Sequence, residues 1–253
     1  LITVIRNTGL IDESDKTHLL VYDRTKWIKF IIPDRNKNTY DKGLKIKVIE
    51  FENKIAEFFG APYVVAVDCC THGVELCLRY KKVKTIQVPK HTYISIPFLA
   101  DKLNIELQWK NENWKDYYYL THNIIDAAVL WKENSYIPKT FMCVSFQFRK
   151  HLALGRGGII LTDNKQAALD LKKMTYDGRH PDIPWREQNI ETMGYHYYMT
   201  PETAELGLKK LPNAIKEKPV QWTINDWPDV SKMKVFNNKK GAILTYKQNK
   251  NYE

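Results

Sequence analysis

The chain has 253 residues, a hydrophobic content of 43%, a charged content of 27% and a formal net charge of +10. That length supports one large domain with a full core, the composition is ordinary for a soluble globular protein, and the absence of any run of about 18 apolar residues argues against a membrane span. The excess of lysine and arginine fits an acidic ligand or a nucleic acid, but the basic residues are scattered and carry no recognition motif, so most read as solvated surface and no nucleic-acid partner is expected.

The N-terminus, Leu1-Ile-Thr-Val-Ile-Arg, lacks the basic start, long apolar run and small-residue cleavage site of a secretion signal. Cys69, Cys70, Cys77 and Cys143 show no paired metal spacing. Reduced thiols in a cytoplasmic compartment fit them best, and no metal site is expected.

Residues 1–40 are polar and irregular apart from Trp27–Ile32, which Pro33 ends. From Gly43 to Phe59, Ile46, Ile49, Ile55, Phe58 and Phe59 recur at helical spacing, and Gly60 and Pro62 close that helix. Tyr63–Val67 is a continuous apolar run, as in a strand buried on both faces. The small-residue turn after it leads through Cys69, Cys70 and Thr71 into a helix at Val74–Leu78. Strand, turn, helix aims backbone N–H groups at an anion, with Thr71 adding a hydroxyl; the same pattern also serves as a plain cap in a βα unit. Thr85–Pro89 and Ile105–Trp109 read as strands around a helix that ends near Leu103. Tyr93, at the end of the first, is placed either to stack on a flat ligand or to fill core. Trp114–Tyr119 is an aromatic connector without an assignable role. Asp126 ends the apolar strand before Ala127-Ala128, where a carboxylate needs a cationic partner or serves as a cap.

Phe141–Phe146 and Gly158–Thr162 read as two further buried strands. The loop between them holds one central lysine, Lys150, with Ser145 five residues before it and Gly155, Gly157 and Gly158 after it. Such a loop suits either a fixed amine that forms an imine with an aldehyde or a basic surface tip. Lys165–Met174 is helical, Tyr176–Trp185 is a long mixed loop, and Thr200 caps a helix over Glu202–Leu211 that Pro201 starts. Beyond Pro212 the chain is lysine-rich, with Trp222 and Trp227 as its anchors.

Alternating strands and helices predict an α/β layered domain with a mainly parallel sheet, in which ligands gather at the carboxyl ends of strands. Cys69–Thr71, Tyr93, Asp126, Ser145 and Lys150 all fall at such ends. Pyridoxal 5′-phosphate needs that whole set: a lysine for its aldehyde, a carboxylate for its ring nitrogen, an aromatic for its face, and a helix N-terminus for its phosphate.

The chain here resembles the DegT/DnrJ/EryC1 family of pyridoxal-phosphate-dependent sugar-nucleotide aminotransferases, from about Gly43 to Leu211. The match is carried by Ser145-Phe-x-x-x-Lys150-x-Leu-x-x-Gly-x-Gly-Gly158, by Asp126-Ala-Ala, by Cys70-Thr71-His72, by Pro89-x-x-Thr92-Tyr93-x-Ser95, and by Gly194–Thr200 followed by Glu205-Leu-Gly-Leu. The resemblance implies a three-layer α/β/α large domain of the type I, aspartate-aminotransferase-like fold over residues 1–211, and a reduced small domain in 212–253. It implies Lys150 as Schiff-base lysine and proton shuttle, and Asp126 on the pyridine nitrogen. It places Cys70, Thr71 and Ser145 at the phosphate and Tyr93 on the ring. It implies glutamate as donor, a keto-deoxy nucleotide sugar as acceptor, and a homodimer with shared active sites in which His196 stands where a partner's asparagine reaches the phosphate. Arg156, Arg179 and His180 are candidates for the substrate's phosphates or the donor carboxylate; Arg149 and Arg186 read as surface charges. Val129 departs from the family, which carries His or Gln there, and the short C-terminal region leaves a non-catalytic binder of cofactor, nucleotide sugar or a protein as the alternative.

Overall fold

A computed structural model of the chain describes residues 18–23, 26–31, 37–180 and 183–237, with side chains from residue 46 onward. The chain divides into two units, residues 1–47 and 48–253. In the first, strands β1 (His18–Asp23) and β2 (Lys26–Ile31) form an antiparallel hairpin.

The helix α1 (Lys37–Phe59) crosses that division, and Gly60 closes it with φ of +69°, a left-handed conformation that glycine reaches without strain. The second unit is built on a five-stranded sheet in the order β3 (Tyr63–Val67), β9 (Gly158–Thr162), β8 (Phe141–Ser145), β7 (Ile124–Asp126), β6 (Tyr118–Tyr119). A second, two-stranded sheet pairs β4 (Thr85–Pro89) with β5 (Glu106–Lys110) in parallel, and the Gln87 N–H on β4 donates to the carbonyl of Leu120, next to β6.

The five-stranded sheet is mixed, and only β7 and β8 are parallel neighbours in it. This corrects the mainly parallel expectation, and connection length explains it. A parallel return needs a crossover of about a dozen or more residues, usually helical. The four residues between β6 and β7 are too few, and the twelve between β8 and β9 are spent on the lysine loop.

Alternation along the strands gives each face its own core. Val65, Val67, Cys143 and Ile160 face one side, under α2 (Cys70–Tyr80), α3 (Ser95–Lys102) and α4 (Lys165–Thr175). Val64, Ala66, Met142, Val144, Ile159 and Leu161 face the other, under the end of α1 and α5 (Pro201–Lys216). Each fully buried large side chain contributes roughly 1.5–3 kcal/mol. On α1 the buried stripe is Phe51, Ile55, Phe58 and Phe59, whereas Ile46 and Ile49 are exposed, so the inward face starts later than the sequence pattern suggests. Glu52 lies on the same helix, buried. Its carboxylate accepts from Ala66 N on β3, an edge strand, at 2.9 Å, and from Lys172 Nζ at 2.6 Å. Burial still holds that carboxyl above its ordinary range despite the lysine.

Helix α5 runs five residues past Leu211, through Pro212. A proline interior to a helix removes a hydrogen bond and costs about 3 kcal/mol. Packing outweighs it: Leu211 and Ala214 are buried, and the Ala214 carbonyl meets both Trp131 Nε1 (3.0 Å) and His151 Nε2 (2.7 Å). No helix among the described residues is long and apolar enough to cross a membrane.

Candidate active site

Strands β3, β7 and β8 point the same way, and their carboxyl ends meet the start of α2. Helix α2 begins at Cys70 with no side-chain cap, so its first backbone N–H groups are available to an anion. Beside them, Thr71 Oγ1 lies 2.8 Å from Ser95 Oγ. Gly158, the partner of Ser145 in the β8–β9 register, packs against this turn: a Cβ on it would sit 2.5 Å from Cys70 N. Only glycine allows β9, and Ser145 with it, so close to the start of α2. Ser145 itself is buried, and its hydroxyl accepts from Gln147 N at 3.3 Å.

Asp126 ends β7 with 4% of its surface exposed. Its Oδ1 accepts from Ala128 N at 2.9 Å and its Oδ2 from the Tyr118 hydroxyl at 2.5 Å. Since Tyr118 gives its proton to Asp126, Thr92 donates to Tyr118, also at 2.5 Å. Tyr118 and Thr92 are both buried. Burial pushes the Asp126 carboxyl up, opposed by Tyr118, Ala128 and Lys150. Burial pushes the Lys150 amine down, opposed by Asp126 and Cys70. Each group is thus held partway toward its neutral form by desolvation and toward its charged form by the other. Asp126 forms the wall of a small cleft with Thr92, Tyr93, Tyr118, Val129 and Trp227. Tyr93 stands at its mouth, 58% exposed.

The C-terminal segment reaches this cleft. Val230 N donates to the Lys90 carbonyl at 2.8 Å, and the Trp227 carbonyl meets His91 Nδ1 at 2.9 Å. That anchoring sets Trp222 and Trp227 beside Lys150, whose Nζ lies 4.8 Å and 5.3 Å from their ring centres. Both distances are within cation–π range. Lys150 and Cys70 are thus within electrostatic reach of Asp126, which shares the cleft with Tyr93; Thr71 follows Cys70 into α2, and Ser145 ends β8.

Arg156 lies beside that turn rather than in the cleft. Its guanidinium bonds Asp68 Oδ2 at 2.7 Å, and Asp68 Oδ1 meets His72 Nδ1 at 2.7 Å. Burial alone would lower the His72 ring, but hydrogen bonding to Asp68 and Cys69 outweighs it and holds the ring up at about 9. Burial likewise opposes, and His72 and Arg156 overcome it to hold, a lowered Asp68 carboxyl. Asp68, Cys69 and His72 put three ligand-type atoms within 4.8 Å of one another. With His72 a cation and Asp68 claimed by Arg156, the group is an ion-pair cluster.

His196, Arg179 and His180 form a second group. His196 Nδ1 pairs with Asp177 Oδ2 at 2.9 Å and its backbone bridges Tyr176. Arg179 lies over the rings of Tyr176 (4.6 Å) and Trp185 (4.9 Å), and the His180 N–H donates to Gln188 Oε1. None of the three lines the Asp126 cleft.

Sequence reasoning left out Tyr118, Thr92, Trp222 and Trp227 as site residues. The signals were two aromatic clusters, Trp114–Tyr119 and Trp222–Trp227, in segments without periodicity.

No curated protein sequence matches the chain. Solved structures do. AtS13 from Actinomadura melliaura aligns with a TM-score of 0.63 and 17% identity over 73% of this chain and 65% of that one. A putative sugar aminotransferase from Streptococcus pneumoniae, in its PLP form, aligns with a TM-score of 0.57 and 16% identity over 67% and 60%. PseC from Helicobacter pylori, an aminotransferase involved in the biosynthesis of pseudoaminic acid, aligns with 0.55 and 12% over 69% and 62%. The chain thus spans less than two thirds of the length of each, and at these identities the likeness is one of fold, an α/β fold with a mixed sheet. The family model for DegT/DnrJ/EryC1/StrS aminotransferases matches residues 35–111 and 138–219. Every candidate named from the sequence lies within those two segments except Asp126, which falls between them. With more than half of its length matched, the chain belongs to the DegT/DnrJ/EryC1/StrS aminotransferase family.

Proposed function

We propose that the chain is a pyridoxal-phosphate-dependent aminotransferase with a type I, three-layer large domain, moving an amino group from an amino-acid donor, glutamate, to a keto-deoxy sugar carried on a nucleotide. One observation carries this reading. A desolvated amine, Lys150, and a buried carboxylate, Asp126, lie within electrostatic reach of each other and of Cys70, at the start of an uncapped helix.

The residues fit the cofactor. Asp126 Oδ1 and Oδ2 each accept one hydrogen bond, and a carboxylate oxygen accepts two. Asp126 therefore keeps acceptor capacity for a protonated ring nitrogen, whose charge would compensate the buried carboxylate. The Cys70 and Thr71 backbone N–H groups and the Thr71 and Ser145 hydroxyls are the donors for its phosphate. When bound, pyridoxal phosphate supplies a carbonyl that condenses with amines and an electron-poor ring that stabilises negative charge on the adjacent carbon. Lys150 does the rest. Its lowered pKa leaves more of it as the free, nucleophilic amine. With the cofactor bound, Nζ would be the base that accepts the proton from the donor's α-carbon. Tyr93, exposed at the cleft mouth, would offer an aromatic face to the cofactor's ring.

Arg156 reaches the acidic substrate only by exchanging its bond to Asp68. His196, Arg179 and His180 serve the site of a second copy in a homodimer, His196 toward the phosphate and the other two toward the substrate's charges. The four cysteines are free, in keeping with a reducing cytoplasm. The second reading, cofactor binding without turnover, is favoured by the tryptophan cover over Lys150.

The test is a half-reaction. Protein loaded with pyridoxal phosphate and given glutamate alone should release one equivalent of 2-oxoglutarate, and a panel of keto-sugar nucleotides should then be aminated, read by mass spectrometry. Bound cofactor with no 2-oxoglutarate would support the second reading. Neither binding nor release would end both.

A further inference from the structure

We infer that residues 220–233 form a strap that shields the Lys150 amine, with Trp222 and Trp227 as its cover, and that this strap swings away before a ring-sized aldehyde condenses with Lys150. The strap lies past the residues that the family model matches. Its consequence for pyridoxal phosphate rests on the cofactor reading above; the shielding itself does not.

Three observations carry it. First, the cover lies on the amine itself. Lys150 Nζ is 4.8 Å from the ring centre of Trp222 and 5.3 Å from that of Trp227, and the two rings are 5.6 Å apart. Among the described residues the amine has no hydrogen-bond or ion-pair partner, so these rings are its immediate neighbours. They take up space beside the nitrogen that an incoming carbonyl needs.

Second, the space left nearby is small. The cleft lined by Asp126, Tyr93 and Trp227 has a volume of about 20 Å³, room for about one water, and Lys150 is not on its wall. A ring-sized aldehyde therefore reaches Lys150 only after the cover moves.

Third, the strap can move as a unit. Its own fold is local: Thr223 and Asp226 form a reciprocal capping box, and Asp229 caps the turn at Val230–Lys232. Its holds on the rest of the chain gather at residues 90–91 and 114–115. Val230 N donates to the Lys90 carbonyl, His91 Nδ1 meets the Trp227 carbonyl, Thr223 bridges Lys115, and the Trp114 ring contacts that of Trp227. Within 220–233 only Val230 is buried, and Glu217, Lys218, Val220 and Gln221, on the way from α5, are exposed. Segments with so few buried residues open at the low end of a protein's stability range.

The test uses benzaldehyde with cyanoborohydride on the cofactor-free protein. The amine adds to the carbonyl, water leaves, and hydride reduces the imine to a benzylamine. Labelling is mapped on the Lys150 peptide, with exposed Lys132 as the internal reference. Burial holds the Lys150 amine below its ordinary range, which favours the reactive neutral form, so slow labelling reads as cover rather than charge. We expect Lys150 to lag Lys132 about tenfold in wild type, Trp222→Ala to remove most of that lag, and Trp222→Phe, which keeps a ring, to retain it. Hydrogen exchange across 220–233 should be faster once borohydride has fixed pyridoxal phosphate on Lys150 than in cofactor-free protein. Should Trp222→Ala fail to fold, the wild-type lag and the exchange comparison decide alone. Lys150 labelled as fast as Lys132 in wild type, an equal lag in Trp222→Ala, or unchanged exchange after fixing would each overturn the strap and leave the proposed function standing. A lag relieved in Trp222→Ala, with no pyridoxal phosphate uptake by either protein, would support the strap and overturn the cofactor reading instead.

Discussion

Asp126 and Lys150 are costly residues to bury, and the structure shows how each is compensated. Asp126 relies on the hydroxyl chain from Thr92 through Tyr118 and on one backbone N–H. Tyr118→Phe removes the chain's last donor and raises the Asp126 carboxyl further. We expect a stability loss of about 1–3 kcal/mol in urea unfolding and weaker pyridoxal phosphate binding. An unchanged unfolding midpoint would show that the tyrosine contributes only its ring. The His72–Asp68 pair sets a pH dependence. A ring held at about 9, above its ordinary value of 6.5, contributes stability that is complete below pH 6.5 and lost as pH rises through about 9. The stability margin of wild type over His72→Gln should shrink across that window in melting curves; a margin constant from pH 6 to 10 would contradict the pairing. Lys150 and Asp126 became candidates through the coincidence of several weak signals in chain order and through the family resemblance, since Lys150 shares its loop with Arg149 and Arg156 and by itself reads as a surface residue. Tyr118 and Trp227 were not legible. Their partners lie 8 residues and more than 70 residues away along irregular chain, where no period relates them.

At the level of elements, apolar runs located β3, β7, β8 and β9, since near-continuous burial leaves an unbroken hydrophobic string, while β4 and β5, which carry exposed polar residues, show alternation instead. The two-residue β6 escaped, being too short to show a pattern, and so did the continuation of α5 through Pro212, where tertiary packing overrides a local breaker. The contact between β9 and α2 matters most for function. Gly158→Ala would place a methyl group 2.5 Å from Cys70 N and 2.8 Å from Cys69 C, both backbone atoms. Neither can move without displacing α2. We expect a loss of about 1–3 kcal/mol in stability and, because the anion site is the start of that helix, a weaker hold on inorganic phosphate as well as on the cofactor. A variant with normal phosphate binding and a normal melting temperature would show that the turn accommodates a side chain.

At the scale of the molecule, the family match covers most of both cores but stops short of the segment that closes the cleft. Residues 220–233 lie across His91, Trp114 and Lys150. Removing residues 218–253 should leave both sheet faces packed while exposing Trp114 and Lys150. The expected signature is a red-shifted tryptophan emission with retained far-ultraviolet circular dichroism. Loss of the far-ultraviolet signal would mean that this segment is needed for folding rather than for covering the site. The net charge of +10 favours anionic ligands over a long range, so their association should slow as salt is raised.

The most direct measurement is chemical. Wild type and Lys150→Ala are each incubated with pyridoxal phosphate, reduced with borohydride, digested and mapped by mass spectrometry. We predict one phosphopyridoxyl group per chain, on the peptide carrying Lys150, and none at that peptide in the variant. Label spread over surface lysines, or the same labelling in both proteins, would contradict the assignment of Lys150 as the cofactor's anchor.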